Sequence, residues 1–201
     1  MAHSFPRCHY ARLKIKVTEY AAEARIGPWA GRFMSSDLNE LAEALIGQSA
    51  HAAPAHILEG LPEDVAQRKI AGAPHTIYQE LWHIVFWQQM TLDWISGVET
   101  LFPANAADPF PTEAQAAAEP WPDVCRRFLA GANQAAQAAS DVARLNVSIR
   151  CPSRPGQPVR IMTVQDQLIS LAAHNAYHFG RIVLLRQLLG CWPPPSGGFT
   201  W

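Results

Sequence analysis

The stretch that most limits what this chain can fold into is Thr163 to Pro195, TVQDQLISLAAHNAYHFGRIVLLRQLLGCWPPP, which predicts one long helix with both ends marked. Thr163 offers a side-chain oxygen as N-cap, Asp166 stands in the first turn where the helix dipole favours a carboxylate, and Gly190 followed by Pro193 closes the far end. Inside it lie His174 and His178. A spacing of four residues puts both imidazoles on one face, one turn apart, within reach of the same ion. Val164, Leu171, Leu185 and Leu189 lie on or near that face, so both rings are expected to point into a core.

Three more long helices are expected. From Ser36, Leu38, Leu41 and Leu45 and then Ala52, Ile57 and Leu58 keep the spacing of one buried face, with Ser36 or Asp37 as cap and Gly60 and Pro62 as stop. Pro54 lies inside that run and predicts a kink or break. The second helix starts at Thr76, which has capping-box spacing to Gln79, and runs to Gly97. It is apolar on two sides, with Ile77, Leu81 and Ile84 on one and Trp87, Met90 and Trp94 on another, so it is expected to pack in a bundle and against a second subunit. Leu101 to Pro120, rich in Pro, Ala and Asp, is expected to be a long functional or flexible loop. A third helix runs from about Pro122 to Leu145, with an alanine-rich face over 130–143 that permits close approach. Asn146–Arg150 and Val159–Met162 alternate like strands around a turn-forming 152–157 segment, a small β-hairpin before the last helix. The sum is an all-α fold, a four-helix bundle, whose core is where facing helices build metal sites.

Composition narrows the functional classes. Hydrophobic residues are 49% and charged residues 16% of 201, which suits one compact domain with a sizeable core, and a net charge of −1 asks for neither nucleic acid nor an acidic membrane surface. No apolar run has the length of a membrane span and no signal-peptide core follows the start. Cys8, Cys125, Cys151 and Cys191 form no C-x-x-C pair and are read as reduced thiols of a cytoplasmic protein. Residues 1–33 stand apart: six basic residues face only Glu19 and Glu23, a local +4 against −5 for residues 34–201. This basic extension is set aside from a domain spanning 34–201. It reads more simply as a transit peptide or an upstream start than as a nucleic-acid arm, and His3, Cys8 and His9 within it are a weak metal-binding alternative.

A third inward histidine, His83, stands midway along the second helix in Glu80-Leu81-Trp82-His83-Ile84. With His174 and His178 it supplies three neutral nitrogens from two helices, the ligand count of a site that keeps positions open for water or substrate. Eight histidines in this length give roughly 0.3 chance pairs at spacing four. The pair alone is therefore weak, and its coincidence with a capped apolar helix and a third histidine carries the argument. A zincin would need Glu where Asn175 stands. A di-iron bundle would need a second E-x-x-H beside Glu80–His83, but Leu171 and Asn175 occupy the positions three before His174 and His178. One metal ion remains.

The stretches AHAAPAHILEGLPED around His51, PHTIYQELWHIVFWQ around His83 and HNAYHFGRIVLLRQLLGCWPPP around His174 and His178 resemble the DinB/YfiT-like superfamily of metalloenzymes over about Ser36 to Gly197. The resemblance implies an up-down-down-up four-helix bundle, often dimeric, with a divalent ion, nickel or zinc, held by His83 and by the His174/His178 pair. It implies a metal-dependent transferase or hydrolase acting on a small molecule, in which the ion activates a low-molecular-weight thiol or water. The competing expectation is a non-catalytic metal-binding or stress-response dimer. His51 is a candidate general base or a polar residue near the break, and Trp82 and Trp87 are candidate pocket walls or packing residues. Glu80 and Tyr177 are candidates to hold the outer nitrogens of the imidazoles.

Overall fold

The computed structural model describes residues 33–47, 49 and 51–197. Residues 1–32 of the expected basic extension, with His3, Cys8 and His9, lie outside them. The described residues are mostly helical, with one two-stranded antiparallel hairpin before the last helix. None of their helices is long and apolar enough to cross a membrane.

The first expected helix is two. Helix α1 spans Phe33–Ile46 and α2 spans Pro54–Leu58. Ser36 and Asp37 lie inside α1, not at its cap. Pro54 starts α2, where its missing N–H removes no hydrogen bond, so the proline acts as a start and not a kink. A short α3, Glu63–Ala66, follows. Helix α4 is Ile77–Ser96, opened by the expected Thr76/Gln79 capping box and closed by Gly97 at φ +90°, a backbone that an L side chain resists.

The expected loop over 101–120 contains a further short helix, α5, Glu113–Ala118, because Thr112 and Gln115 form their own capping box. Helix α6, Trp121–Ser140, begins with Pro122 in its first turn and ends at Asp141, whose φ −85° and ψ 81° leave the helical region. Val142–Leu145 then forms the separate α7. Strands β1, Ser148–Cys151, and β2, Arg160–Thr163, pair antiparallel with Ser148 opposite Thr163 and Cys151 opposite Arg160. Thr163 ends β2 and also caps α8, Val164–Leu188, in a capping box with Asp166. With no loop between them, the hairpin is held in a set position on the start of α8.

Helix α4 packs against both α6 and α8, so each of its apolar sides is met within the chain. One part of the core gathers Ile57, Tyr78, Leu81, Phe128, Phe179 and Ile182. The other gathers Leu45, Met90, Trp94, Ala139, Leu168 and Leu171. The alanine-rich face of α6 lets it approach α4 closely, and at Gly131 a Cβ would collide with the amide of Gln88, which donates to the Phe128 carbonyl at 3.0 Å.

Candidate metal centre

His83 lies on α4 and His174 and His178 on α8, and the packing of these two helices brings the three rings together. Ring centroids are 4.5 Å apart for His83–His178 and His174–His178, and 5.1 Å for His83–His174. Each ring offers one nitrogen, and the three nitrogens lie within 4.8 Å of one another. The Nε2 atoms of His83 and His174 are only 3.2 Å apart. His83 and His178 are buried and His174 is half-buried.

The other nitrogen of each ring faces an acceptor. His178 Nδ1 is 2.6 Å from Oε2 of Glu80, a carboxylate with no solvent exposure. Arg181 Nη2 lies 2.7 Å from the other oxygen of Glu80, an ion pair whose angle is too poor for a hydrogen bond. His83 Nδ1 is 3.2 Å from the Pro109 carbonyl, and His174 Nδ1 is 3.4 Å from Oδ1 of Asn175. These acceptors assign the proton to Nδ1 in each ring, leaving the Nε2 lone pairs for the centre.

Burial, helped by the neighbouring imidazoles, pushes His83 down to about 3 and His174 down to about 4. At neutral pH both are uncharged, the form that ligates metals. Two neutral rings with Nδ1–H tautomers cannot hydrogen-bond through facing Nε2 atoms, so the 3.2 Å approach lacks a proton to hold it. Two nitrogens that each reach about 2.1 Å to one ion sit about 3 to 3.5 Å apart. The donor set thus fits a transition-metal ion, and imidazoles suit zinc, nickel, copper or iron.

The segment before α5 roofs the group. Phe110 stacks on His83 at 4.2 Å and on His75 at 3.9 Å, a three-ring column. Trp87 presents its edge to His83 at 6.3 Å and to His174 at 6.2 Å, and packs on Phe102 at 5.2 Å. A cavity of about 230 Å³ opens between Trp87, Trp94, Phe102 and His174. Trp82 stands elsewhere, stacked on Phe86 with Arg127 over its ring. Tyr177 touches the edge of His178 at 4.9 Å, but its hydroxyl accepts from Arg181 and holds no imidazole nitrogen.

His51 is not one of the three converging residues. Its Nδ1 lies 2.8 Å from the Ala52 carbonyl, its ring packs on Phe179 at 5.7 Å, and it lines a different cavity with Trp192. The acceptor roles of Pro109 and Asn175, the Phe110 roof and the Arg181 partner of Glu80 are absent from the sequence reading. Glu80 alone among these outer groups is visible there, three residues before His83 on α4.

Residues 47–182 match the DinB superfamily, a span of well over half the chain. The chain belongs to that superfamily. The match takes in His51, His83, His174 and His178, and so covers the whole histidine group. No curated protein matches the chain. Within this DinB protein Cys125, Cys151 and Cys191 are free thiols, and burial drives Cys125 up to about 12, far from a reactive thiolate.

Proposed function

We propose that this DinB protein is a metal-dependent enzyme in which His83, His174 and His178 hold one divalent ion, nickel or zinc, at the centre of an up-down-down-up bundle of α1, α4, α6 and α8. The observation that carries the reading is the common orientation of the three rings: each Nδ1 is engaged by an acceptor, and the inward nitrogens gather within 4.8 Å. A bound divalent ion supplies Lewis acidity that lowers the pKa of a thiol or a water and makes it a nucleophile at neutral pH. Everything else falls to the chain. Glu80 fixes the tautomer and orientation of His178, while Arg181 balances the buried carboxylate. Phe110 and Trp87 keep bulk water from the imidazoles, which strengthens every electrostatic interaction inside.

The reaction we favour is transfer of a low-molecular-weight thiol, or hydrolysis, on a small molecule. The cavity that reaches His174 supports an enzyme over a non-catalytic metal-binding protein, because a storage or scaffold site has no need of one. The test is the consumption of cysteine by a soluble alkylating electrophile in the presence of zinc- or nickel-loaded protein. A parent that accelerates it while His174→Ala does not supports the enzyme; equal rates for both favour the non-catalytic protein.

A further inference from the structure

Arg160, the exposed first residue of β2, lines the same cavity as His174. Its guanidinium carbon lies 5.9 Å from the Trp94 ring and 6.0 Å from the Phe102 ring. Two aromatic faces therefore steady an exposed cation. Among the described residues no carboxylate pairs with it, in contrast to Arg150, which binds Glu99 at 2.6 Å on the same hairpin, and Arg127, which binds Glu119. The cavity lining contains no Asp or Glu. The His174 imidazole lines the same cavity, and the one carboxylate that holds the histidine group, Glu80, is already answered by Arg181. Positive charge at Arg160, and at the histidine group once an ion is bound, meets no opposing charge on the wall.

We propose that this cavity binds a small organic carboxylate, with the carboxylate on Arg160, the apolar body between Trp87, Trp94 and Phe102, and the opposite end at the three-histidine group. The fork of an arginine matches a carboxylate through two parallel hydrogen bonds, and its cation–π seat leaves the N–H edge free for them. At about 30 Å³ of liquid volume per water, 230 Å³ holds roughly eight waters, so the enclosed part of the ligand is no larger than a single aromatic or short-chain acid. The wall also offers polar groups for orientation: Gln167 donates to Thr91 Oγ1 at 3.2 Å and accepts a weak thiol contact from the buried Cys151 at 3.9 Å. The hairpin shares Thr163 with the cap of α8, so the position of Arg160 is tied to the helix that carries His174. The proposal rests on the metal reading only for what the far end of the ligand meets.

The experiment titrates the full chain, freed of metal by a chelator and then tested with and without added zinc, with phenylacetate and its neutral counterpart phenylacetamide, following tryptophan fluorescence. The same titrations are run on Arg160→Gln and on His83→Ala. The proposal expects saturable phenylacetate binding that is at least tenfold weaker in Arg160→Gln, with phenylacetamide weak and unchanged between the two. Phenylacetate binding that Arg160→Gln leaves intact, or a parent that prefers the amide or binds neither, overturns it. If zinc tightens phenylacetate binding in the parent and not in His83→Ala, both readings stand. If zinc has no effect but the Arg160 dependence persists, the carboxylate pocket stands and the placement of the ligand's far end at the histidine group falls.

Discussion

Helix α8 carries two buried polar centres, separated by eight residues or about 12 Å along its axis, and they are built on opposite rules. Arg186 is 1% exposed, yet each of its three guanidinium nitrogens donates to a carbonyl. Nε and Nη2 donate to the Cys191 carbonyl at 3.0 and 2.8 Å, Nη1 donates to the Ile57 carbonyl, and the Trp192 ring covers it at 5.3 Å. The Ile57 carbonyl belongs to the last turn of α2, and the Cys191 carbonyl to the segment that follows α8. That centre is closed and ties three segments together. The histidine centre is satisfied only on its outer side, and its inner nitrogens face each other with nothing to share. A buried polar group with all its partners is architecture; one held in place with its reactive side unpartnered points to chemistry.

The largest effect expected from this contrast is at Arg186. Arg186→Leu leaves the buried Ile57 carbonyl and the half-buried Cys191 carbonyl without these donors and is expected to lower unfolding free energy by about 2 to 4 kcal/mol in urea denaturation, while metal content stays at the parent level. A loss below about 1 kcal/mol would remove the clamp from the account. At the other centre, Glu80→Gln keeps the shape but removes the charge behind His178. Metal affinity, measured by competition with a chromophoric chelator, should fall about 10- to 100-fold with the fold intact.

The two centres also differ in pH response. Burial holds His83 down to about 3 and His174 down to about 4, below the ordinary 6.5, so the unfolded chain binds more protons than the folded one in acid. Their neutral burial costs nothing above about pH 6.5, and stability is lost progressively as pH falls from there toward their folded values. Thermal melts of the metal-free protein should therefore drop between pH 7 and 5, and His83→Gln should flatten that slope. Arg186 stays charged across the range and adds no slope. The smallest effect is at the roof: Phe110→Ala removes the stack on His83 and is expected to cost about 1 kcal/mol, with metal still bound.

Helix ends were legible wherever a local pattern decides them. Thr76 with Gln79, Thr163 with Asp166, Gly97 and Gly190 act within a few residues of themselves, and the structure uses each as read. The break expected at Pro54 is present, but that the proline begins a new helix is decided by the packing of Ile57 and Leu58 against the core. The three histidines were visible because helical periodicity places them on inward faces. Their acceptors were not: the Pro109 carbonyl carries no side-chain signature, and Phe110 reaches His83 across 27 residues. His51, read as a candidate general base or a polar residue near the break, lies between α1 and α2, where no periodicity aims a side chain.

The central claim is that the unpartnered inner nitrogens of His83, His174 and His178 hold one metal ion. Elemental analysis of the untagged protein, purified without chelator beside His83→Ala and His174→Ala, tests it most directly. The account predicts about one equivalent of a divalent transition metal, nickel or zinc, in the parent and none in either variant, with both variants folded. A parent that carries none and cannot be loaded, or variants that keep the metal, would contradict it.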